Sequence, residues 1–153
     1  MKHWLLKSEP ENYSIDDLAN EKNKTTLWDG VRNYQARNTI RDDMSVGDLA
    51  FFYHSNDDPP GIVGVCKVVK AAYPDPTALD KKSKYFDEKS SVTNPRWFVV
   101  DVKLVKKFKS KITLDDLKPM EALKNMELLR KGSRLSVQPV SENEYETIMK
   151  LAR

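Results

Sequence analysis

The residues best suited to chemistry lie together in one stretch of the chain, residues 28–38 (WDGVRNYQARN). This stretch is too polar for a core segment and too aromatic for an ordinary surface loop. Indole and phenol rings can stack on a flat heterocycle, side-chain amides can read its edge, and arginines can hold phosphate. The composition therefore predicts the floor of a pocket for a nucleobase, and specifically for a base turned out of its stack.

The bulk properties of the chain fit one domain spanning residues 1–153. With 39% apolar residues, the chain can form a real core and is too hydrophobic for a disordered protein. The 26 basic and 23 acidic residues leave a formal charge of +3, which is compatible with a nucleic-acid partner but does not require one. A well-solvated surface explains that charge equally well.

Few residues are available for metal or redox chemistry. The only cysteine, Cys66, lies in an apolar run, so we expect a buried strand residue and a reducing compartment. His3, His54 and one cysteine do not supply the usual ligand count of a metal site, and we expect no cofactor. The N-terminal apolar run is too short for a signal peptide, and no segment has membrane-spanning length. We expect a cytoplasmic monomer, or a nuclear protein in a eukaryote.

Apolar patterning and capping residues place the elements that must position these groups. Apolar or β-branched runs predict strands at residues 3–6, 25–28, 49–53, 62–69, 97–104 and 135–140. The third and fourth of these, joined by the turn-rich residues 56–61, are expected to form an antiparallel hairpin. Capping side chains predict short helices after Ser14, Asn33, Thr113 and Ser141. Residues 120–129 form another helical patch, and residues 73–95 form a long polar loop of a kind that is usually functional or disordered. Since strands and helices do not alternate as βαβ units, we expect an α+β domain built on an open barrel.

Several motifs in combination resemble the EVE domain family, and the resemblance covers essentially the whole chain. The motifs are residues 4–10 (WLLKSEP), 13–14 (YS), 28–38, 47–48 (GD), 52–55 (FYHS) and 134–137 (RLSV). The resemblance implies a PUA-like fold related to the YTH domain: a curved, open β-barrel of five to six strands with short peripheral helices. It also implies a cleft that admits one modified base, and a role in binding modified cytosines in DNA or modified bases in RNA. Because no basic N-terminal extension is present, we expect a free-standing bacterial member.

The aromatic candidates for base binding are Trp28 and Trp97. In YTH domains, a tryptophan about twenty residues after a Lys-Ser pair is a wall of the base cage, and Trp28 has that position here. Trp97 is a candidate second wall. For each tryptophan the alternative is an ordinary core residue. Asn33 and Tyr34 are candidates to read the base edge, although Asn33 can equally serve as a helix N-cap.

Polar candidates come from the predicted ends of two strands. Lys7 and Ser8 can donate to a base carbonyl, and Glu9 can accept from an exocyclic amine. The alternative for Glu9 is a salt bridge to Arg32 or Arg37. In the family, the segment that holds Tyr53, His54 and Ser55 lines the cleft. His54 can donate a hydrogen bond or act as a general acid, and its alternative is a structural role.

Phosphate contacts are expected from the arginines, which recur near helical spacing at Arg32, Arg37 and Arg41. Together the candidates predict a non-catalytic module that reads a modified base, most simply a methylated or oxidised cytosine in DNA. The alternatives are a reader of modified RNA, an enzyme that uses His54 with Glu9 or Asp29, and a protein-interaction domain. The sequence contains no nucleophile elbow or phosphate loop. The reader hypothesis requires that the Trp28 ring border an accessible recess.

Overall fold

The computed structural model describes residues 1–152, which form one six-stranded sheet with short helices on both faces. The strands are β1 (His3–Ser8), β2 (Thr25–Leu27), β3 (Leu49–His54), β4 (Gly61–Pro74), β5 (Phe98–Thr113) and β6 (Val137–Val140). Their order across the sheet is β2-β5-β4-β3-β1-β6, so β2 and β6 are its edges. β1 pairs with β3 in parallel, and the other four neighbouring pairs are antiparallel.

Local capping chemistry starts each of the helices. They are α1 (Ile15–Ala19), α2 (Tyr34–Asn38), α3 (Leu114–Leu117) and α4 (Glu142–Leu151). The side chains of Ser14, Thr113 and Ser141 each accept from the backbone N–H three residues later, as part of a capping box. α2 continues as a π-helical turn over Thr39–Asp43. Single 3₁₀ turns lie at Lys22–Lys24, Pro76–Ala78, Glu121–Leu123 and Glu127–Leu129. None of the helices described is long and apolar enough to cross a membrane.

Alternating side chains on the strands build a core on each face of the sheet. Leu6 and Phe52 belong to the core that α1 and α2 cover, and Trp28 lies in the same cluster. Leu5 and Phe51 point to the opposite core, which α3 and α4 cover. The end of β1 therefore sits between two well-packed layers, which fixes the backbone from which Lys7 and Ser8 project.

The α+β class with a six-stranded open sheet and short helices is confirmed, as are the four capped helices. β3 and β4 form the expected antiparallel hairpin. The predicted lengths of the two long strands were wrong, since β4 continues to Pro74 and β5 to Thr113. Several register shifts interrupt their pairing, and bulges of this kind bend long strands. The helical patch at residues 120–129 is two 3₁₀ turns instead of one helix.

Candidate functional site

A cavity of about 360 Å³ opens where the end of β1 meets the segment that follows β2. Its lining comes from residues 7–9, 12–13, 26–31, 84–85 and Ser136. The stretch expected to form a pocket floor therefore contributes only its first four residues, 28–31. The residues from Asn33 onward turn away into α2.

Trp28 is both a core residue and a wall of this cavity. Its indole is only 7% exposed and meets Phe52 edge to face, with ring centroids 5.3 Å apart. Tyr13 makes a second edge-to-face contact at 6.5 Å, and the Trp28 backbone N–H donates to the carbonyl of Val100 at 2.8 Å. The two interpretations of this tryptophan are therefore compatible, because a firmly packed ring still borders the accessible recess.

Two further aromatic residues line the cavity, Tyr13 and Tyr85, and the sequence analysis named neither as a site residue. Gly30 has φ +76°, and a Cβ placed there would lie 2.5 Å from Cζ of Tyr85. The tyrosine ring thus occupies the space above a bare backbone, which explains the requirement for glycine. The guanidinium of Arg32 donates to the Tyr85 carbonyl at 2.6 Å and lies 5.6 Å from the ring centroid. No local signal in the 73–95 loop marks Tyr85 as a partner of a glycine 55 positions away.

Arg32 joins the pocket segment to the 73–95 loop. Its Nη1 pairs with the buried carboxylate of Asp75 at 3.0 Å, and the same oxygen accepts from the Gly30 N–H at 3.2 Å. The other oxygen of Asp75 accepts from both the backbone and the hydroxyl of Thr77. The Arg32 guanidinium is therefore engaged inside the protein, where it holds the segment that carries Trp28 and Gly30.

The strand-end residues Lys7, Ser8 and Glu9 all line the cavity, at different depths. Lys7 is half-buried, and burial lowers its pKa although Glu127 attracts the ammonium. The Ser8 hydroxyl donates to the carbonyl of Tyr13 at 2.6 Å. Glu9 is exposed at the rim and accepts from the Asn12 amide at 3.0 Å.

The salt bridge considered for Glu9 is not formed in the part of the chain that the structure describes. Arg32 pairs with Asp75, and Arg37 donates to the carbonyl of Arg96 at 2.7 Å. That alternative interpretation of Glu9 was therefore wrong.

Asp29 is the acidic group placed beside the Trp28 wall. It is half-buried, and burial together with the charge of Asp75 raises its pKa. Within residues 1–152, its carboxylate makes no hydrogen bond or ion pair with another residue. A carboxyl group in this state can accept from a donor on a guest, or donate once it is protonated.

Asn33, Tyr34 and Trp97 lie together outside the cavity lining. The Asn33 side chain caps α2 by accepting from the Ala36 N–H at 3.0 Å. This is the N-cap role considered for Asn33 as the alternative to reading the base edge. Tyr34 stacks on Trp97 with centroids 4.9 Å apart, and the Trp97 indole N–H donates to Asp87 at 2.6 Å. Trp97 is buried, whereas Tyr34 remains 48% exposed.

The segment Tyr53–Ser55 at the end of β3 also lies outside the lining. Tyr53 packs in the core on the opposite face of the sheet from Trp28, and Lys7 Nζ lies 5.8 Å from its ring centroid. His54 is buried, and its Nε2 accepts from the Ile15 N–H at 3.1 Å, which favours the structural interpretation. Burial lowers the pKa of His54 despite the nearby carboxylate of Asp57. The Ser55 N–H donates to the Ser8 carbonyl at 3.0 Å and so steadies the cavity edge.

Arg37 and Arg41 lie on the surface of the helical segment that follows the pocket. The Arg37 guanidinium lies 4.9 Å from the Tyr34 ring centroid, and its Nε donates to the Asn38 side chain. Arg41 forms a two-point pair with Asp42 at 2.8 and 2.9 Å. Arg96, which sequence reasoning did not single out, also donates to the Tyr34 hydroxyl and lies 5.6 Å from that ring centroid.

The protein is an α+β domain with an open six-stranded sheet. A small cavity lined by polar and aromatic residues lies at the end of its first strand. The EVE domain matches residues 2–151, and the chain belongs to the EVE domain family. Thymocyte nuclear protein 1 of human is 45% identical over 97% of this chain and 73% of its own length. The chicken protein of the same name is 46% identical, over 97% of this chain and 68% of its own.

Solved structures agree with this assignment along the whole fold. A hypothetical protein from Leishmania major is 51% identical with a TM-score of 0.93, and the match covers 99% of this chain and 94% of that one. The human THYN1 protein has been solved in complex with 5-methylcytosine-containing DNA. It is 44% identical with a TM-score of 0.93, over 100% of this chain and 98% of its own.

Proposed function

We propose that this chain binds one modified cytosine base of DNA in the cavity beside Trp28 and performs no chemistry on it. The observation that carries the proposal is the cavity of about 360 Å³ with Trp28 and Tyr85 in its lining. Small-molecule pockets measure about 300–1,000 Å³, so this one lies at the small end of the range, as suits a single pyrimidine. The 44% identical human THYN1 protein, solved with 5-methylcytosine-containing DNA, supports the same ligand.

The cavity offers a flat guest both stacking and polar contacts. A base that stacks on an aromatic side chain gains about 1–3 kcal/mol, and the apolar side chains of Leu27 and Val31 provide a surface for a methyl group. The Ser8 hydroxyl lies at the strand end, where its oxygen can accept from the base while its proton is donated to Tyr13. The Lys7 ammonium points to the other face of the sheet, near Tyr53.

Contacts to the neighbouring nucleotides are assigned to the surface beside the cavity. Arg32 lies 5.3 Å from the Trp97 ring centroid, so the row from Tyr85 through Arg32 and Trp97 to Tyr34 is continuous. The exposed Tyr34 ring can stack on an adjacent base, and Arg37 beside it can hold a phosphate. Arg41 lies further out and can reach a more distant phosphate once its pair with Asp42 opens. Arg32 acts through the position of Tyr85 and contacts no phosphate itself.

This role places the protein wherever DNA is present, in the nucleus of a eukaryotic cell or in the cytoplasm of a bacterial one. RNA with a modified base is the nearest rival ligand. An enzyme that uses His54 is disfavoured, because the His54 Nε2 already accepts from the backbone of α1 and the residue does not line the cavity.

The test is a titration of single-stranded DNA with one central 5-methylcytosine or cytosine against the wild-type protein and two variants. Tyr85→Ala removes one stacking ring and is expected to weaken methylated DNA binding by about 5- to 150-fold. Phe86→Ala is the matched control, since Phe86 is the next residue, is exposed and does not line the cavity. Trp28→Ala is a poorer choice because loss of a packed core tryptophan costs about 3–5 kcal/mol of stability.

Equal binding of methylated and plain DNA by the wild type, unchanged in Tyr85→Ala, contradicts the proposal. Tighter binding of the same sequence made as RNA assigns the site to RNA instead. The bound oligonucleotide is then recovered and weighed by mass spectrometry. A change in the mass of the base after long incubation contradicts a non-catalytic role.

A further inference from the structure

The cavity contains two carboxylates with different surroundings. Glu9 lies at the rim, exposed and hydrogen-bonded to Asn12. Asp29 lies next to Trp28 and is half-buried, with no hydrogen bond or ion pair to another residue among residues 1–152. Partial burial without a cationic partner in contact disfavours the ionised form of a carboxyl group and favours its neutral form. Asp29 is therefore a carboxyl group of the cavity lining that is free to bind a guest.

We propose that Asp29 reads the N3–N4 edge of the captured cytosine as a neutral carboxylic acid, and takes up one proton from solvent when the base binds. The inference rests on the proposed function and names the group that decides base identity. The protonated oxygen donates to N3 of cytosine, and the carbonyl oxygen accepts from the N4 amine. These two parallel hydrogen bonds satisfy the edge of the base and both oxygens of Asp29.

This arrangement separates cytosine from thymine, which carries the same 5-methyl group. On the equivalent edge, thymine offers an N3–H donor and the O4 oxygen. N3 of cytosine is a far stronger base than O4 of thymine, so a proton shared with Asp29 is bound more tightly when the guest is cytosine. The methyl group lies away from this edge. Base identity is thus read by Asp29, and methylation by the apolar wall.

The charges around Asp29 are consistent with proton uptake. Asp75, at the start of the 3₁₀ turn Pro76–Ala78, repels the ionised form, whereas Arg32 and Lys84 attract it. Burial outweighs this attraction and the hydrogen bond from the backbone N–H of Asp29 itself, so the pKa of Asp29 lies above its ordinary value before any guest enters. A stacked base excludes more water and favours the neutral acid further. The other titratable groups of the lining are Lys7, Glu9, Tyr13 and Tyr85.

The experiment measures proton uptake directly. Wild-type protein is titrated calorimetrically with single-stranded DNA carrying one 5-methylcytosine, in buffers that differ in ionisation enthalpy at one pH. Single strands are used so that no cost of unpairing differs between bases. We expect an uptake approaching one proton, with affinity falling about tenfold for each unit rise in pH where uptake is complete. An otherwise identical oligonucleotide with thymine at that position is expected to show a smaller uptake, because O4 of thymine holds the shared proton less tightly than N3 of cytosine.

Asp29→Asn is the informative variant, because its amide can still donate to N3 and accept from N4 but cannot take up a proton. We expect it to bind 5-methylcytosine with no uptake and an affinity independent of pH. Its amide can turn over to pair with thymine, so the preference for 5-methylcytosine over thymine should fall by roughly tenfold. Asp43→Asn removes the same charge from an exposed position and is expected to keep the wild-type uptake.

Binding of 5-methylcytosine without proton uptake, or a variant Asp29→Asn that retains the wild-type uptake, overturns the inference while the proposed function stands. Binding that strengthens as pH rises also overturns it, because the ionised carboxylate would then be the form that binds. A wild-type protein that does not bind 5-methylcytosine overturns the proposed function itself, and this inference with it.

Discussion

Gly30→Ala tests the geometry of the cavity wall, because the added Cβ would lie 2.5, 2.7 and 2.8 Å from three ring atoms of Tyr85. Carbon atoms in contact normally lie about 3.5–4.0 Å apart, so the ring must retreat by about 1 Å. Forcing a methyl group into a packed site costs about 1–3 kcal/mol. Alanine at φ +76° adds about 1–2 kcal/mol. We therefore expect Gly30→Ala to lower the free energy of unfolding by about 2–5 kcal/mol.

The two contributions can be separated by urea denaturation of four proteins: wild type, Gly30→Ala, Tyr85→Ala and the double variant. Once the tyrosine ring is absent, only the backbone cost of about 1–2 kcal/mol should remain. The difference between the two backgrounds, about 1–3 kcal/mol, measures the clash. Gly132→Ala is the matched control, since Gly132 has φ +81° and no atom lies within 4 Å of the Cβ added there.

Equal costs for Gly30→Ala and Gly132→Ala would contradict this placement of the Tyr85 ring, and so would a cost of Gly30→Ala that removal of the ring leaves unchanged. Either result means that the ring does not lie against Gly30 in solution. Tyr85 would then not be part of the cavity wall, and the stacking assigned to it would have to come from another residue.

Three further predictions concern charged groups. The pKa of Asp29 in the folded protein is raised above the ordinary value of 3.8, so the fold loses stability as pH rises from 3.8 through the raised pKa. Asp29→Asn should therefore unfold at a higher urea concentration than wild type at pH 7, but not at low pH. For Asp48, burial raises the pKa, but bonds from the Trp4 indole and two backbone N–H groups outweigh it and lower the pKa. The stability that ionised Asp48 contributes is present above pH 3.8 and is lost as pH falls through the lowered pKa of Asp48. Asp48→Asn should therefore lower the free energy of unfolding by about 1.5–3 kcal/mol at pH 7, and by less in acid. Arg37→Ala should reduce the slope of log binding constant against log salt concentration by about one, without changing the preference for methylated DNA.

Features that depend on a few neighbouring residues could be predicted from the sequence. The Ser14 and Ser141 capping boxes are complete within four residues, so the helices that they start were predicted correctly. The β3–β4 hairpin was also predictable, since a turn-rich connection separates two apolar runs. In each case, local chemistry and the final fold favour the same structure.

The lengths of the long strands could not be predicted, because they depend on pairing partners. The second half of β5 is rich in lysine and carries few buried side chains. Its strand conformation comes from hydrogen bonds to the start of β4, where Gly61 pairs with Thr113 and Gly64 with Lys107. A polar segment held by its neighbour has no apolar pattern of its own to detect.

The parts of the candidate site that come from short sequence motifs were predictable. The motif at the end of β1 and the Trp28 segment do meet in one cavity. Tyr53 and His54 were less predictable, because whether a strand residue faces the site depends on its face of the sheet. Tyr53 pairs with Lys7 in the sheet, yet its ring packs in the opposite core. Tyr85 could not be found at all, since it reaches the cavity from a loop distant in sequence.

The two aromatic walls differ in how firmly they are held, and this difference determines which one can adapt to a guest. Trp28 is fixed by edge-to-face contacts to Phe52 and Tyr13, so its side of the cavity is preformed and little ordering is required on binding. Tyr85 comes from a loop and rests on Gly30, with the cations of Lys84 and Arg32 at 5.1 and 5.6 Å from its ring centroid. A base that enters between these rings should therefore displace Tyr85 and leave Trp28 in place. It follows that changes at Tyr85 should alter which modified base fits, whereas changes at Trp28 should mainly cost stability.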